Sequence, residues 1–137
     1  MMQLVRYGMV GGDAHAFIGQ VHRKAIGFDP RAQIAAGCFS GSSPDKNKQT
    51  GEMLRLDPAR VYASYQEMAR AEWQREDGID FVCIVTPNVS HYGIAKAFLE
   101  NGIHVMCEKP LTHTVAQAEE LQALAEAKGL LFGVNYS

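Results

Sequence analysis

Short apolar runs alternate along the chain with stretches whose apolar residues recur every three or four positions. The runs are LVRYGMV (4–10), QIAAGCFS (33–40), VYA (61–63), FVCIVT (81–86), HVMCE (104–108) and LLFGVN (130–135). Runs this short and apolar read as buried strands, and the helical patterns between them predict a parallel sheet assembled from β-α-β units. Crossovers of that kind are right-handed and place helices on both faces of the sheet. The expected fold class is therefore α/β, a doubly wound parallel sheet of about six strands.

The helical stretches carry their own start and stop signals. Ile18, Val21, Ala25 and Phe28 recur at helical spacing after the first strand, and Asp29-Pro30 ends that pattern. Ser64 and Glu67 form a capping box that opens a helix running to about Glu76. Ile94, Ala97 and Phe98 mark one side of a helix closed at Gly102. Thr114 and Gln117 open a last helix with Leu121 and Leu124 as its buried stripe, stopped by Gly129. The segment 41–58 is the least regular: a solvated loop in its first half, then a short helix from Gln49 to Leu56.

A length of 137 residues fits one domain and is small for a complete two-substrate dehydrogenase. The 13 basic and 15 acidic side chains leave a formal charge of -2 with no basic block, so nucleic acid is not an expected partner. No apolar run approaches the ~20 residues needed to cross a bilayer, and the first residues lack the pattern of a signal peptide. The expectation is a soluble cytoplasmic protein without a membrane partner. Cys38, Cys83 and Cys107 all fall in strand-like runs, with no C-x-x-C pair and no histidine at a ligand spacing. They read as buried free thiols, and no metal site is expected.

The first strand runs into glycines at the sequence YGMVGGDAHAFIGQVH, 7–22. A dinucleotide loop uses one glycine for the tight turn, a second for approach to the pyrophosphate and a third for close packing of helix on strand. Two registers fit: Gly11-x-Asp13-x-x-Ala16, or a loop three residues longer in which Gly19 is the third glycine. Asp13 stands where the second glycine belongs, and two roles are open to it. As a cap of the first helix it takes the N–H groups a phosphate would use. Facing a phosphate at about 4 Å, its carboxylate costs ~1 kcal/mol in bulk water and several times more when partly desolvated. The tip of the second strand, Phe39-Ser40-Gly41, has no acid before Asp45 to hold an adenosine ribose; Ser40, Ser42, Ser43 and Lys46 suit a 2′-phosphate equally, so NAD and NADP both stay open.

Two further stretches end strands at the edge where α/β folds bind ligands: VTPNVSH (85–91) and CEKP (107–110). Pro87-Asn88 is a turn before a helix, and His91 lies in that helix's first turn, where a structural role outweighs a catalytic one. Lys109 reads either as a solvated lysine or as one projecting into a cleft, where burial lowers its pKa toward proton-transfer range.

In this order the three stretches resemble the glucose-fructose oxidoreductase / inositol dehydrogenase / MocA (Gfo/Idh/MocA) family of NAD(P)-dependent oxidoreductases. The matching segments are Gly19-Gln-Val-His22 to the family's G-x-x-H, Thr86 to His91 to T-P-N-x-x-H, and Glu108-Lys109-Pro110 to E-K-P. The resemblance covers essentially all of 1–137 as the family's N-terminal NAD(P)-binding Rossmann domain, from which Asp13 departs. It implies that Gly11, Gly12 and Ile18 line the pyrophosphate and that Ser40 lies near the adenosine ribose. It places Thr86, Pro87, Asn88 and His91 along the nicotinamide half. Glu108 and Lys109 would stand nearest the reacting carbon, Lys109 contacting the substrate hydroxyl. The implied partners are a nicotinamide dinucleotide, a sugar- or polyol-like substrate and a further copy of the chain in a homo-oligomer.

Family members continue into a second α/β domain that forms the substrate pocket, supplies an acid-base histidine and usually makes the oligomer interface. The sequence stops where that domain is expected, and His15, His22, His104 and His113 all fall within the nucleotide-domain pattern. The reading is thus a cofactor-binding half, or truncated form, of a hydride-transferring dehydrogenase that lacks turnover alone. The competing reading is a stand-alone or degenerate dinucleotide-binding or interaction module without catalysis.

Overall fold

The computed structural model describes residues 3–110, 112 and 114–135, with the side chain of Asn88 not described; His113 lies outside this set. Its elements run β1 (Val5–Val10), α1 (Phe17–Gly27), β2 (Ala32–Cys38), α2 (Pro44–Met53), α3 (Tyr65–Gln74), β3 (Phe81–Ile84), α4 (His91–Glu100), β4 (His104–Glu108), α5 (Val115–Lys128) and β5 (Phe132–Asn135). All pairings are parallel, in the order β2-β1-β3-β4-β5.

The run 61–63 does not become a strand. It makes one parallel bridge, Gly37 to Val61, reinforced by the Tyr62 N–H donating to the Gly37 carbonyl at 2.8 Å. A 3-10 turn over Pro58–Arg60 precedes it and the Ser64 cap of α3 follows, which leaves no length for a ladder. Among the described residues five strands form where about six were expected. The segment nonetheless occupies the outer side of β2. With it counted third, the order reads 3-2-1-4-5-6, that of dinucleotide-binding folds.

Alternation along the central strands builds two cores. Val82 and Ile84 face a large cluster with Met68, Phe98, Leu99 and Leu121, so α3, α4 and α5 cover that face. Cys83 and Val85 point the other way, onto Tyr7, Met9 and Phe39, with Ile18 and Ile26 of α1 packed against them. The thiols of Cys38, Cys83 and Cys107 are free and buried, as the sequence predicts. No helix among the described residues is long and apolar enough to cross a membrane.

Three helix readings change. The buried face of α1 is Gly19 and His22 flanked by Ile18 and Ile26, whereas Phe28 is 88% exposed and Val21 is exposed. A glycine and a histidine carry no hydrophobic signal, which hides that face from periodicity. Helix α2 starts at Pro44, earlier than expected, because the Ser43 hydroxyl accepts the Lys46 N–H and Pro44 needs no donor at the first position. In α4 it is Ala95 and Leu99, rather than Ala97, that join Ile94 and Phe98 in the core. The Ser64 and Thr114 caps both accept the predicted N–H groups, from Glu67 and Gln117. Gly129 ends α5 in the left-handed conformation.

Candidate functional site

Strand order reverses between β1 and β3, so the loops leaving these strands diverge and open a crevice at their carboxyl ends. A cleft of about 660 Å3 occupies that position, and it brings together Gly11, Gly12, Asp13, Ser40, Thr86 and Pro87. These six come from the turns that leave three strands and lie up to 76 residues apart in sequence.

The glycine turn is built in the longer register. Gly11 and Gly12 hold φ of +82° and +72°, a left-handed backbone that favours glycine. A Cβ on Gly19 would stand 2.5 Å from the Gly12 Cα, so Gly19 is the residue that lets helix and turn touch. Helix α1 then begins at Phe17 with Ala16 as its cap, without a side-chain cap and without an acid in its first turn. Its opening N–H groups and the positive end of its dipole are arranged as an anion site needs.

Asp13 does not cap α1. Its Oδ1 accepts the His15 N–H at 2.8 Å and its carbonyl accepts the Ala16 N–H at 2.9 Å, so the residue closes a turn inside the lengthened loop. Three side chains that sequence reasoning did not single out fix this loop. The buried Thr50 hydroxyl accepts the Ala14 N–H at 2.9 Å while donating to the Lys46 carbonyl at 2.8 Å. Gln20 donates to the Ala14 carbonyl at 2.8 Å. Arg23 donates to the Gly12 carbonyl at 2.7 Å. Burial presses the Arg23 guanidinium below its ordinary pKa, opposed by its coupling to Tyr7, Asp13 and Cys83, and this cation partly balances the Asp13 carboxylate in the loop.

At the tip of β2, Asn47 Oδ1 accepts the Phe39 N–H at 2.8 Å and the Ser40 N–H at 3.4 Å, and Asn47 Nδ2 donates to the Tyr62 carbonyl at 2.8 Å. This holds Ser40 on the cleft wall, where its hydroxyl accepts the Ser43 N–H at 3.1 Å. Beyond β3, the Ser90 hydroxyl lies 2.7 Å from both Thr86 Oγ1 and the Pro87 carbonyl, closing the turn that lines the cleft.

The remaining predicted site residues stand elsewhere. Ile18 packs against the smaller core. Asn88 opens a 3-10 turn, Asn88–Ser90. His91 is wholly buried, its Nδ1 2.7 Å from the Pro110 carbonyl and its Nε2 2.7 Å from the Thr86 carbonyl, so it ties the β3 turn to the β4 turn from within. Glu108 ends β4, one strand beyond the cleft, and Lys109 follows it in the turn. Lys109 is exposed. Glu108 is clamped by His22 at 3.1 Å and Asn135 at 3.4 Å, and its second oxygen accepts the Lys109 N–H at 2.9 Å. Partial burial works against this carboxylate's charge, but the hydrogen bonds from His22, the Lys109 N–H and Asn135 outweigh it and hold the pKa below the usual value.

Comparison with known proteins agrees with this fold. The family model described as "Oxidoreductase family, NAD-binding Rossmann fold" (Gfo/Idh/MocA) matches residues 5–136. An uncharacterized oxidoreductase of Bacillus subtilis, YfiI, is 45% identical over 133 residues, covering 96% of this chain and 34% of the relative. A crystal structure of an oxidoreductase from Pseudomonas syringae superposes with a TM-score of 0.94 at 44% identity, over 99% of this chain and 37% of that one. An inositol dehydrogenase homolog from Azotobacter vinelandii, solved with NADH and myo-inositol, gives a TM-score of 0.91 at 38% identity, over 98% and 35%. The chain therefore spans about a third of the length of these relatives.

Proposed function

The chain belongs to the Gfo/Idh/MocA oxidoreductase family as its NAD-binding Rossmann domain, and from that premise we propose that it holds a nicotinamide dinucleotide for hydride transfer at a sugar- or polyol-like hydroxyl. The observation that carries the reading is the contact of Gly19 on Gly12 beneath an uncapped helix start. That cradle leaves no room for side chains and presents N–H groups to an anion.

Each chain residue then has a defined task. Gly11 and Gly12 let backbone approach the pyrophosphate, with the first turn of α1 facing its charge. Ser40 offers its hydroxyl to the adenosine ribose. Thr86 and Pro87 wall the nicotinamide half, backed by His91, whose two carbonyl contacts fix their turn. The bound nicotinamide supplies the hydride acceptor or donor. Lys109, projecting from the end of β4, contacts the substrate hydroxyl and moves its proton. Substrate binding and turnover belong to the longer proteins in which such domains occur.

The serine tip of β2 carries neither the acid that grips a 2′-hydroxyl nor an arginine that grips a 2′-phosphate. Neither dinucleotide is repelled, and NADH and NADPH are expected to bind within about tenfold of one another, the ratio that ~1.4 kcal/mol separates. Calorimetric titration of the 137-residue chain with each dinucleotide at moderate salt tests both statements. Saturable binding supports the reading, and absence of binding by both overturns it.

A further inference from the structure

A polar group outside the cleft joins three elements that are distant in sequence. His22 lies in the second turn of α1, Glu108 ends β4 and Asn135 ends β5. His22 is 7% exposed and its Nε2 stands 3.1 Å from Glu108 Oε1. Asn135 Nδ2 is 3.4 Å from the same oxygen and 3.4 Å from His22 Nε2. Because the carboxylate only accepts, the imidazole must donate through Nε2. Glu108 Oε2 remains turned toward its own chain, where it accepts the Lys109 N–H at 2.9 Å.

A carboxylate held on one oxygen by a rigid helix and a strand end is a fixed acceptor for the other. The next residue of α1 adds a second anchor, since Arg23 donates to the Gly12 carbonyl at 2.7 Å. Two consecutive side chains of one helical turn thus grip the glycine turn and the lysine turn, and α1 sets the distance between them. Without His22 the Glu108 carboxylate loses its 3.1 Å contact to α1, and the acceptor that orients the Lys109 backbone is no longer tied to that helix.

We propose that His22, with Asn135, is a positioning residue for Lys109, acting through Glu108 to fix the lysine turn relative to the dinucleotide turn. The proposal rests on the role given to Lys109 above, but its test does not. A burial-filling role for His22 would require only shape at that position; a positioning role requires a donor.

The experiment is amide NMR on the 137-residue chain, comparing the wild type with His22→Ala, His22→Gln and Asn135→Ala, alongside titration with NADH. In His22→Ala the Lys109 amide is expected to move away from its carboxylate-bonded chemical shift and to lose about tenfold or more of its hydrogen-exchange protection, as for a lost bond to a charged acceptor. His22→Gln, which supplies a donor, should restore both. Asn135→Ala should shift the Lys109 amide in the same direction by less. If His22→Ala does not fold, the other two variants decide. A Lys109 amide unchanged in folded His22→Ala, or unchanged in Asn135→Ala with no retention of the wild-type signal in His22→Gln, overturns the proposal. Failure to bind NADH with the amide pattern as expected would sink the functional reading and leave the positioning role standing.

Discussion

Gly19 and Gly12 touch through their backbones: a Cβ built on Gly19 would lie 2.5 Å from the Gly12 Cα and 3.1 Å from the Gly12 carbonyl carbon and oxygen. Those are backbone atoms and cannot swing aside as a side chain can. Gly19→Ala therefore has to push α1 off the turn, a cost of the order of overpacking, about 1–3 kcal/mol. The displaced helix start also loses its alignment with the turn. Urea denaturation should show the lower midpoint, and dinucleotide titration a weaker affinity. Wild-type values in both would mean that the helix is not in contact.

Asp13 borders the cleft, yet its carboxylate has a structural task, accepting the His15 N–H, and a cation nearby in Arg23. Asp13→Asn removes the charge and keeps an acceptor at the same place, so it separates repulsion from loop shape. The expected result is tighter dinucleotide binding by a few-fold, the scale of ~1 kcal/mol for a screened charge near a phosphate. Asp13→Gly should gain less, because it also frees the loop. Unchanged affinity in Asp13→Asn would place the carboxylate out of reach of the phosphates.

The sheet was legible because buried parallel strands are continuous apolar runs, and the caps of α3 and α5 because Ser64 and Thr114 leave a local mark. The glycine turn and the β3 and β4 turns were legible as short motifs. What stayed hidden depends on contacts across the chain. Thr50 reaches Ala14 over 36 residues, and His22 reaches Glu108 over 86. Neither residue differs in its own neighbourhood from a helix threonine or histidine. The register of the glycine loop was undecidable locally, since only the packing of Gly19 distinguishes the two alternatives. His91 could be read as a first-turn residue, but not as a bridge between two carbonyls, because Pro110 lies 19 residues on.

A buried ion pair steadies the crossover between the two halves of the sheet. Arg60 donates to Glu72 through Nε at 3.1 Å and Nη2 at 2.5 Å; the Tyr62 hydroxyl donates to the same carboxylate at 2.6 Å and the Ile79 N–H at 3.2 Å. The Glu72 side chain is fully buried and that of Arg60 is 8% exposed. Glu72→Ala leaves a buried guanidinium without its main partner and should cost about 3–5 kcal/mol, a large share of the 5–15 kcal/mol typical of a domain. Replacing both residues with Arg60→Met and Glu72→Leu should cost less than Glu72→Ala alone. Chemical denaturation of the three variants checks the order, and equal losses in the single and double variants would argue against a charge left unpaired.

The three thiols give the fold a limit on the alkaline side. Burial pushes Cys38 up to about 11, with Glu67 adding to it; burial pushes Cys83 and Cys107 to about 12, reinforced by Glu108 and, for Cys83, by Cys107. In the unfolded chain these groups titrate near the ordinary ~8.5. Above that pH the unfolded chain has released protons that the native chain keeps, so stability falls as pH rises and the loss continues toward the native values. Each such thiol contributes a slope of up to about 1.4 kcal/mol per pH unit. Urea midpoints measured under reducing conditions should therefore drop between pH 8 and 10, and Cys83→Ala should flatten the drop while lowering the midpoint at neutral pH through its lost packing. The same burial should make all three thiols slow toward a disulfide reagent until the chain unfolds. A thiol that reacts at once in the native chain, or an alkaline slope unchanged by Cys83→Ala, would show that burial does not hold these protons.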